Sequence, residues 1–186
     1  MQQTQVLTDF YNSCTDKRHF TWLRGRSYSE ALVICVGAGP WRFERRKKIQ
    51  GLALSALNNQ DLKFFPENVY PLTWQNNIIK NIKQNLGWSF FDKLCSRIAH
   101  RDTLLELSGC KNLPKVLSLF CRDSLKIPSF PIDRHVKRKL EELGLPTKED
   151  DIVNLCMEAK LDPRKVAVAF VRVASDMDNP DWSISQ

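Results

Sequence analysis

The sequence predicts an all-α protein, and three observations lead to this fold class. Apolar residues recur at helical spacing, as in Ile78, Ile79 and Ile82. Asp162-Pro163 offers an N-cap followed by a proline at the first helical position, which is a clear start signal. β-Branched runs are sparse, and the run over 166–173 follows directly on that start signal. We therefore predict helices rather than strands.

In the first half of the chain, apolar spacing predicts a buried helix over 29–37 and a basic amphipathic helix over 42–57. The stretch 58–73 contains Asn-Asn, two prolines and aromatic residues, which predicts a long connection. Two further helices are predicted over 74–85 and 89–100. The buried face of the second of these should consist of Phe90, Phe91, Leu94, Cys95 and Ile98.

A helix-hairpin-helix is predicted in the middle of the chain. A short leucine-rich helix over 104–107 ends at Ser108-Gly109, and a second helix begins near Asn112, with Pro114 in its first turn. The tight turn and the start of the second helix should point backbone N–H groups outward. Such groups form a ready binding site for a phosphate.

Towards the C-terminus, the spacing over 147–150 matches a capping box before a helix at 152–159. The acidic, proline-containing tail from Ser175 should be a loosely docked end. We expect a single domain over 1–186 with two lobes. One lobe is formed by 29–100 plus the hairpin 103–123, and the other by 1–28 and 134–186.

Composition narrows the partners. The 186 residues carry a formal net charge of +7, which favours an anionic partner, with nucleic acid ahead of a membrane surface. The longest apolar run, 31–36, is too short to cross a bilayer, and the N-terminal residues do not resemble a secretory signal. Six scattered cysteines form no C-x-x-C pair and no zinc spacing, so we expect reduced thiols, no metal and a cytoplasmic location.

Two residues are candidates for chemistry. Lys115 falls in the first turn of the predicted second hairpin helix, where the helix dipole disfavours a positive charge and so favours a neutral, nucleophilic amine. Asp133 follows eighteen positions later, just before a strongly basic helix. Taken alone, Asp133 is more often a helix N-cap and Lys115 more often a solvated surface lysine.

The stretches LLELSGCKNLPKVLSLF (104–120) and IPSFPIDRHVKRKLEELG (127–144) resemble the helix-hairpin-helix DNA glycosylase superfamily. This superfamily includes endonuclease III and 8-oxoguanine glycosylases, and its lyase-competent members have a hairpin lysine followed at nearly this spacing by an aspartate. The resemblance implies a two-lobed helical fold with the active-site cleft between the lobes. It implies base excision repair by a DNA glycosylase with AP lyase activity, Lys115 as the nucleophile and Asp133 as the assisting carboxylate.

The resemblance also implies further site residues and a partner. Gly109, Lys111, Asn112, Arg134 and His135 would contact double-stranded DNA that contains a damaged base. Trp41 and Trp88 would line the base pocket, although tryptophans at such positions are more often core residues. The chemistry needs no cofactor. A monomer is expected, located with the DNA: in the cytoplasm of a prokaryote or the nucleus of a eukaryote.

Two features depart from the family pattern. The hairpin lacks the usual Gly-x-Gly, and Gly37-Ala38-Gly39-Pro40 replaces the base-flanking glutamine. One alternative is a non-catalytic helix-hairpin-helix DNA-binding module, although the missing Gly-x-Gly argues against a pure phosphate clamp, which would need that turn most. Another is the same fold acting on uracil, mismatched thymine or an oxidised pyrimidine. Among the oxidised bases, 8-oxoguanine is the first choice.

Overall fold

The computed structural model describes residues 2–38, 70–85, 87–97, 101–110 and 114–174, together with positions 45, 48, 49 and 51. These residues contain helices, turns and connections but no strand, which confirms the all-α prediction. The helices are α1 Gln3–Ser13, α2 Tyr28–Gly37, α3 Thr73–Asn85, α4 Trp88–Arg97, α5 Arg101–Ser108, α6 Lys115–Phe120, α7 Arg134–Glu142, α8 Glu149–Glu158 and α9 Pro163–Ala174; a π-helical turn, Cys121–Leu125, continues α6.

The chain divides into two compact units. The first unit comprises Met1–Trp22 and Lys126–Ser183, and the second comprises Leu23–Leu125 and Ile184–Gln186. The predicted lobes change at 28/29 and between 123 and 134, close to these divisions. The cleft between lobes stays a prediction, and so do the helix over 42–57 and most of the connection over 58–73, which lie largely outside the described residues. The connection ends before Thr73, the first residue of α3.

The first unit is a cluster of α1, α7, α8 and α9 around aromatic residues. Phe170 on α9 packs against Phe10 with ring centroids 4.1 Å apart and against Phe130 at 5.5 Å. The core of this unit also contains Leu7, Val136, Leu140, Ile152, Cys156 and Val166. Asp162 and Pro163 start α9 as predicted, since Oδ1 of Asp162 accepts a hydrogen bond from the backbone N–H of Arg164 at 2.9 Å.

The segment that follows α1 is held against α9 by side-chain contacts. Arg172 forms an ion pair of 2.9 Å with Asp16, donates to the carbonyl of Arg18 and stacks over the ring of Phe20. Hydrogen bonds from Arg18 and the nearby charge of Arg172 lower the pKa of Asp16 to about 2. This segment has little secondary structure, so these contacts fix its path.

The start of α8 differs from the prediction. Its N-cap is Lys148, without a side-chain capping bond, so the capping box predicted over 147–150 is wrong. Glu149 instead bonds to the turn before α7, where its Oε1 accepts from Ser129 Oγ and from the backbone N–H of Phe130, both at 2.8 Å. Ser129 and Phe130 are fully buried, so this carboxylate satisfies two donors that water cannot reach.

The second unit is built around α2, which is buried over Ser29–Gly37, as its apolar sequence predicts. A capping box that the sequence analysis missed starts it: Ser27 Oγ accepts from the N–H of Glu30, and a Glu30 oxygen accepts from the N–H of Ser27. Asp92 on α4 accepts from both the N–H and the hydroxyl of Ser29, at 2.8 and 2.9 Å. The first turn of α2 is therefore fixed to α4.

The buried stripe of α3 is confirmed, since Ile78, Ile79 and Ile82 are all buried. The predicted face of α4 is wrong at Phe90, whose side chain is 55% exposed. Trp88, at the first position of α4, is buried and defines a row with Phe91 and Cys95 at helical spacing. Phe90 lies about 130° round the helix from the centre of that row, so it faces solvent.

Replacing Glu149 should destabilise the first unit. Glu149→Ala leaves the Ser129 hydroxyl and the Phe130 N–H buried without their acceptor, which should lower the free energy of unfolding by about 3 kcal/mol. Glu149→Gln keeps one acceptor oxygen and should cost less. Urea denaturation measures both changes.

Glu158→Ala, at an exposed position on the same helix, is the control and should change stability by less than about 0.5 kcal/mol. Equal losses for Glu149→Ala and Glu158→Ala would contradict the assignment.

Candidate functional site

The corner of the predicted hairpin lies at the end of α5. Gly109 follows Ser108 with φ +66°, a left-handed conformation that ends the helix. Asn81 Nδ2, on α3, donates to the carbonyl of Ser108 at 3.1 Å, and a Cβ added at Gly109 would lie 2.7 Å from that nitrogen. The backbone angle therefore favours glycine at the corner, and a larger residue would also displace the end of the Asn81 side chain. Gly109 is exposed, and its contact with DNA stays a prediction.

Lys115 is the first residue of α6. Pro114 is the N-cap, with φ −62° and ψ 149°, so it precedes the helix and does not lie in its first turn as predicted. The extended ψ of Pro114 ends the incoming segment, and Lys115 begins the helical backbone. Lys115 is half-buried, whereas the rest of α6, residues 116–120, is buried completely. The lysine is thus the residue of α6 that reaches towards solvent, at the positive end of the helix.

A buried ion pair lies in the π-helical turn that continues α6. Arg122 donates to both carboxylate oxygens of Asp123, at 2.6 and 2.8 Å, and both side chains are 2% exposed. The nearby thiol of Cys35 on α2 has its pKa raised well above the ordinary value, first by burial and then by the charge of Asp123. The sequence gives no local signal for this pair, since an Arg-Asp dipeptide is usually a surface feature.

Asp133 is the N-cap of α7. Its Oδ1 accepts from the backbone N–H groups of His135 and Val136, both at 2.9 Å. The buried Ser129–Pro131 stretch comes just before it, so the carboxylate follows a fixed turn and is itself hydrogen-bonded to the helix. This geometry is that of a helix N-cap, the simpler of the two roles predicted for Asp133. It also holds the Asp133 carboxylate in a defined position.

The basic run on α7 is largely paired within the helix. Lys137 lies 3.8 Å from Glu141, Arg138 lies 3.7 Å from Glu142, and Lys139 lies 3.0 Å from Glu142. At the start of the helix, the exposed Arg134 donates through Nε to Nε2 of His135 at 3.1 Å. Asp133, Arg134 and His135 therefore lie together at one helix end, and contact of the latter two with DNA stays a prediction.

Of the other predicted site residues, one is buried and three lie outside the described part of the chain. Trp88 is 5% exposed and packs edge-on against Phe91, with ring centroids 6.3 Å apart, which is the environment of a core tryptophan. Its role in a base pocket stays a prediction. Trp41, Lys111 and Asn112 lie outside the described residues. Lys115 belongs to the second unit and Asp133 to the first, so their predicted approach to one nucleotide also stays a prediction.

Four of the six cysteine thiols are poor nucleophiles at neutral pH. Burial raises the pKa of Cys95 and Cys156 to about 12 and raises that of Cys14 and Cys35 as well. These four thiols therefore remain protonated at neutral pH, whereas the nucleophile of a covalent reaction is the thiolate. All six cysteines lie in the described residues, and none forms a disulfide.

The described residues contain neither a membrane-crossing helix nor a metal-binding cluster. No helix there is both long and apolar enough to cross a membrane. No group of three or more His, Cys, Asp or Glu side chains in that part of the chain could hold a metal ion.

Comparison with protein-family models, curated proteins and solved structures found no match for this chain. The resemblance to the helix-hairpin-helix glycosylases therefore rests on the residues quoted from the sequence.

The hairpin corner can be tested by stability. Gly109→Ala should lower the free energy of unfolding by about 1–3 kcal/mol, because alanine is strained at φ +66° and its Cβ meets Asn81. Asn81→Ala removes that collision but not the backbone strain. In the double variant, Gly109→Ala should therefore cost less than it does alone, and a chemical-denaturation cycle measures the difference. Additive effects would show that Asn81 does not limit the space at Gly109.

Proposed function

We propose that this chain is a DNA glycosylase with AP lyase activity that excises an oxidised base, with 8-oxoguanine as the first substrate to test. The observation that carries the proposal is how two helices begin. Lysine is the first residue of α6, just after the glycine corner, and aspartate caps α7 eighteen positions later. The resemblance of both stretches to the glycosylase superfamily gives these two residues their roles.

In the proposed reaction, the neutral amine of Lys115 attacks C1′ of a nucleotide that has left the base stack. A C–N bond forms to the lysine, the glycosidic bond breaks, and the base leaves with a proton. The sugar ring then opens: the C1′–O4′ bond breaks, O4′ takes a proton, and C1′ becomes doubly bonded to the lysine nitrogen. Loss of a proton from C2′ of this Schiff base expels the 3′ phosphate by β-elimination. The sugar becomes positively charged as the base departs, and the carboxylate of Asp133 stabilises that charge.

Three properties of the chain support an amine mechanism on DNA. The first turn of α6 contains no acidic residue, so no carboxylate on that turn opposes an approaching phosphate. Four of the six thiols remain protonated, so these four do not compete with the amine as nucleophiles. The net charge of +7 favours binding to a polyanion.

Borohydride trapping tests the role of Lys115. With a duplex that contains a single 8-oxoguanine, the unaltered protein should form a covalent adduct after reduction, since borohydride reduces the Schiff base to a stable amine. Lys115→Gln should form none. Lys115→Arg should also form none, because it keeps the positive charge but does not provide the amine. Gel electrophoresis of labelled DNA gives the measurement.

Lys148→Gln, at an exposed lysine of the first unit, is the matched control and should trap normally. An adduct that persists in Lys115→Gln would exclude Lys115 as the nucleophile. If the unaltered protein forms no adduct and releases no base from duplexes carrying 8-oxoguanine, uracil, mismatched thymine or an oxidised pyrimidine, but binds them all, the chain is instead a non-catalytic DNA-binding module.

Asp133 needs a test that separates capping from chemistry. Asparagine and serine are both good N-caps, so Asp133→Asn and Asp133→Ser should keep α7 and the stability of the protein. Both variants remove the carboxylate. We expect single-turnover base release to fall at least about 100-fold in each of them, the usual range for a group that assists in the transition state.

Asp133→Ala provides the converse control. It removes both the cap and the carboxylate and should cost about 1 kcal/mol of stability in addition to the loss of activity. If Asp133→Asn and Asp133→Ser release base at the rate of the unaltered protein, the role of Asp133 is capping alone.

A further inference from the structure

Helix α3 in the second unit has two sharply different faces. Its buried face contains Gln75, Ile78, Ile79 and Ile82. Its exposed face, named here the donor face, consists of Thr73, Asn77, Lys80 and Gln84. At 100° per residue these four positions fall within an arc of about 60°, and they extend over about 16 Å of the helix. All four side chains are hydrogen-bond donors.

The donor face contains no carboxylate, and neither does the sequence around it. No Asp or Glu occurs between Glu67 and Asp92. The carboxylate of Asp92 accepts hydrogen bonds from the N–H and the hydroxyl of Ser29, so its charge faces α2. Among the other helices packed against α3, α2 contains Glu30, which accepts from the N–H of Ser27, and α5 contains Asp102 and Glu106. Asp102 and Glu106 lie on the side of α5 opposite to the buried Leu104 and Ser108.

The donor face borders the hairpin corner. Asn81, which donates to the carbonyl of Ser108, lies one turn from both Asn77 and Gln84 on α3. Trp74 lies on the same flank of the helix as Asn81, seven residues earlier, and is 37% exposed. A row of donors with an aromatic side chain beside it is the combination that proteins use to hold a sugar-phosphate strand.

We propose that the donor face of α3 binds the phosphodiester backbone of DNA. Amide, hydroxyl and ammonium donors match phosphate oxygens, and the lack of carboxylates removes the repulsion that a polyanion would meet. A lipid surface fits less well, because the apolar face of α3 is buried in the unit and has no apolar row to insert. This inference deepens the proposed function by adding a DNA contact outside the hairpin.

The test uses undamaged duplex DNA, on which no base is released. Binding is followed by fluorescence anisotropy between about 50 and 200 mM salt. Lys80→Gln should weaken binding several-fold at the lower salt concentration and reduce the slope of log K against log salt by about 0.9, the loss of one phosphate contact. Lys148→Gln is the matched control. Lys148 is equally exposed but is followed by Glu149, Asp150 and Asp151, so its removal should leave affinity and slope unchanged.

A second variant tests the neutral donors. Asn77→Asp and Gln84→Glu are nearly isosteric with the native residues but place carboxylates on the donor face, and together they should abolish binding at about 100 mM salt. Circular dichroism and urea denaturation check that α3 remains folded. Unchanged DNA affinity in Lys80→Gln and in the double variant would overturn the inference. So would a loss of binding to phosphatidylserine vesicles without a loss of binding to DNA.

The result of the DNA-binding test does not depend on whether the chain is a glycosylase. A protein that binds DNA through the donor face but forms no adduct under borohydride keeps this inference and loses the proposed function. The reverse result, trapping that persists unchanged in Lys80→Gln and in the double variant, keeps the enzyme and removes the donor face.

Discussion

The carboxylate of Glu149 holds the turn that leads to Asp133. It accepts from Ser129 and Phe130, twenty and nineteen positions earlier in the chain, and both of these residues are fully buried. A buried turn without such an acceptor would leave two donors unsatisfied, at a cost comparable to a large part of a small protein's stability. With the turn fixed, the chain can place Pro131 in the core and Asp133 at the start of α7. The defined position of Asp133 therefore depends on a contact made by another helix.

The two helices that carry the candidate residues start in opposite ways. The N-terminus of α7 is closed by Asp133, which accepts from two of its backbone N–H groups. The N-terminus of α6 has Pro114 as its cap, and proline has no side-chain acceptor to satisfy those groups. A basic residue follows directly in each case, Arg134 on α7 and Lys115 on α6. The start of α7 therefore presents a fixed carboxylate, whereas the start of α6 presents a half-buried lysine.

Local sequence patterns predicted the helices well and the contacts between them poorly. Apolar periodicity was sufficient for α2 and α3, and Asp162-Pro163 was sufficient for the start of α9. Apolar periodicity failed at Phe90, because five apolar residues in α4 allow more than one buried face and Trp88 decides between them. The bond from Asn81 to Ser108 joins residues 27 positions apart, and no spacing rule indicates a contact of that kind. Lys115 and Asp133 were chosen as candidates from their positions at predicted helix starts, and the resemblance assigned them their roles.

The positions of the charged residues say more about phosphate binding than the net charge of +7 does. Helix α7 contains four basic residues, but Glu141 and Glu142 on the same helix pair with three of them, so much of its positive charge is compensated locally. Helix α3 contains the exposed Lys80 and has no carboxylate in its own sequence. Exposed ion pairs contribute little to stability, yet they reduce the field that a distant polyanion experiences. The helix with the larger number of basic residues is therefore not necessarily the better phosphate-binding surface, and α3 attracts an anion with less internal competition.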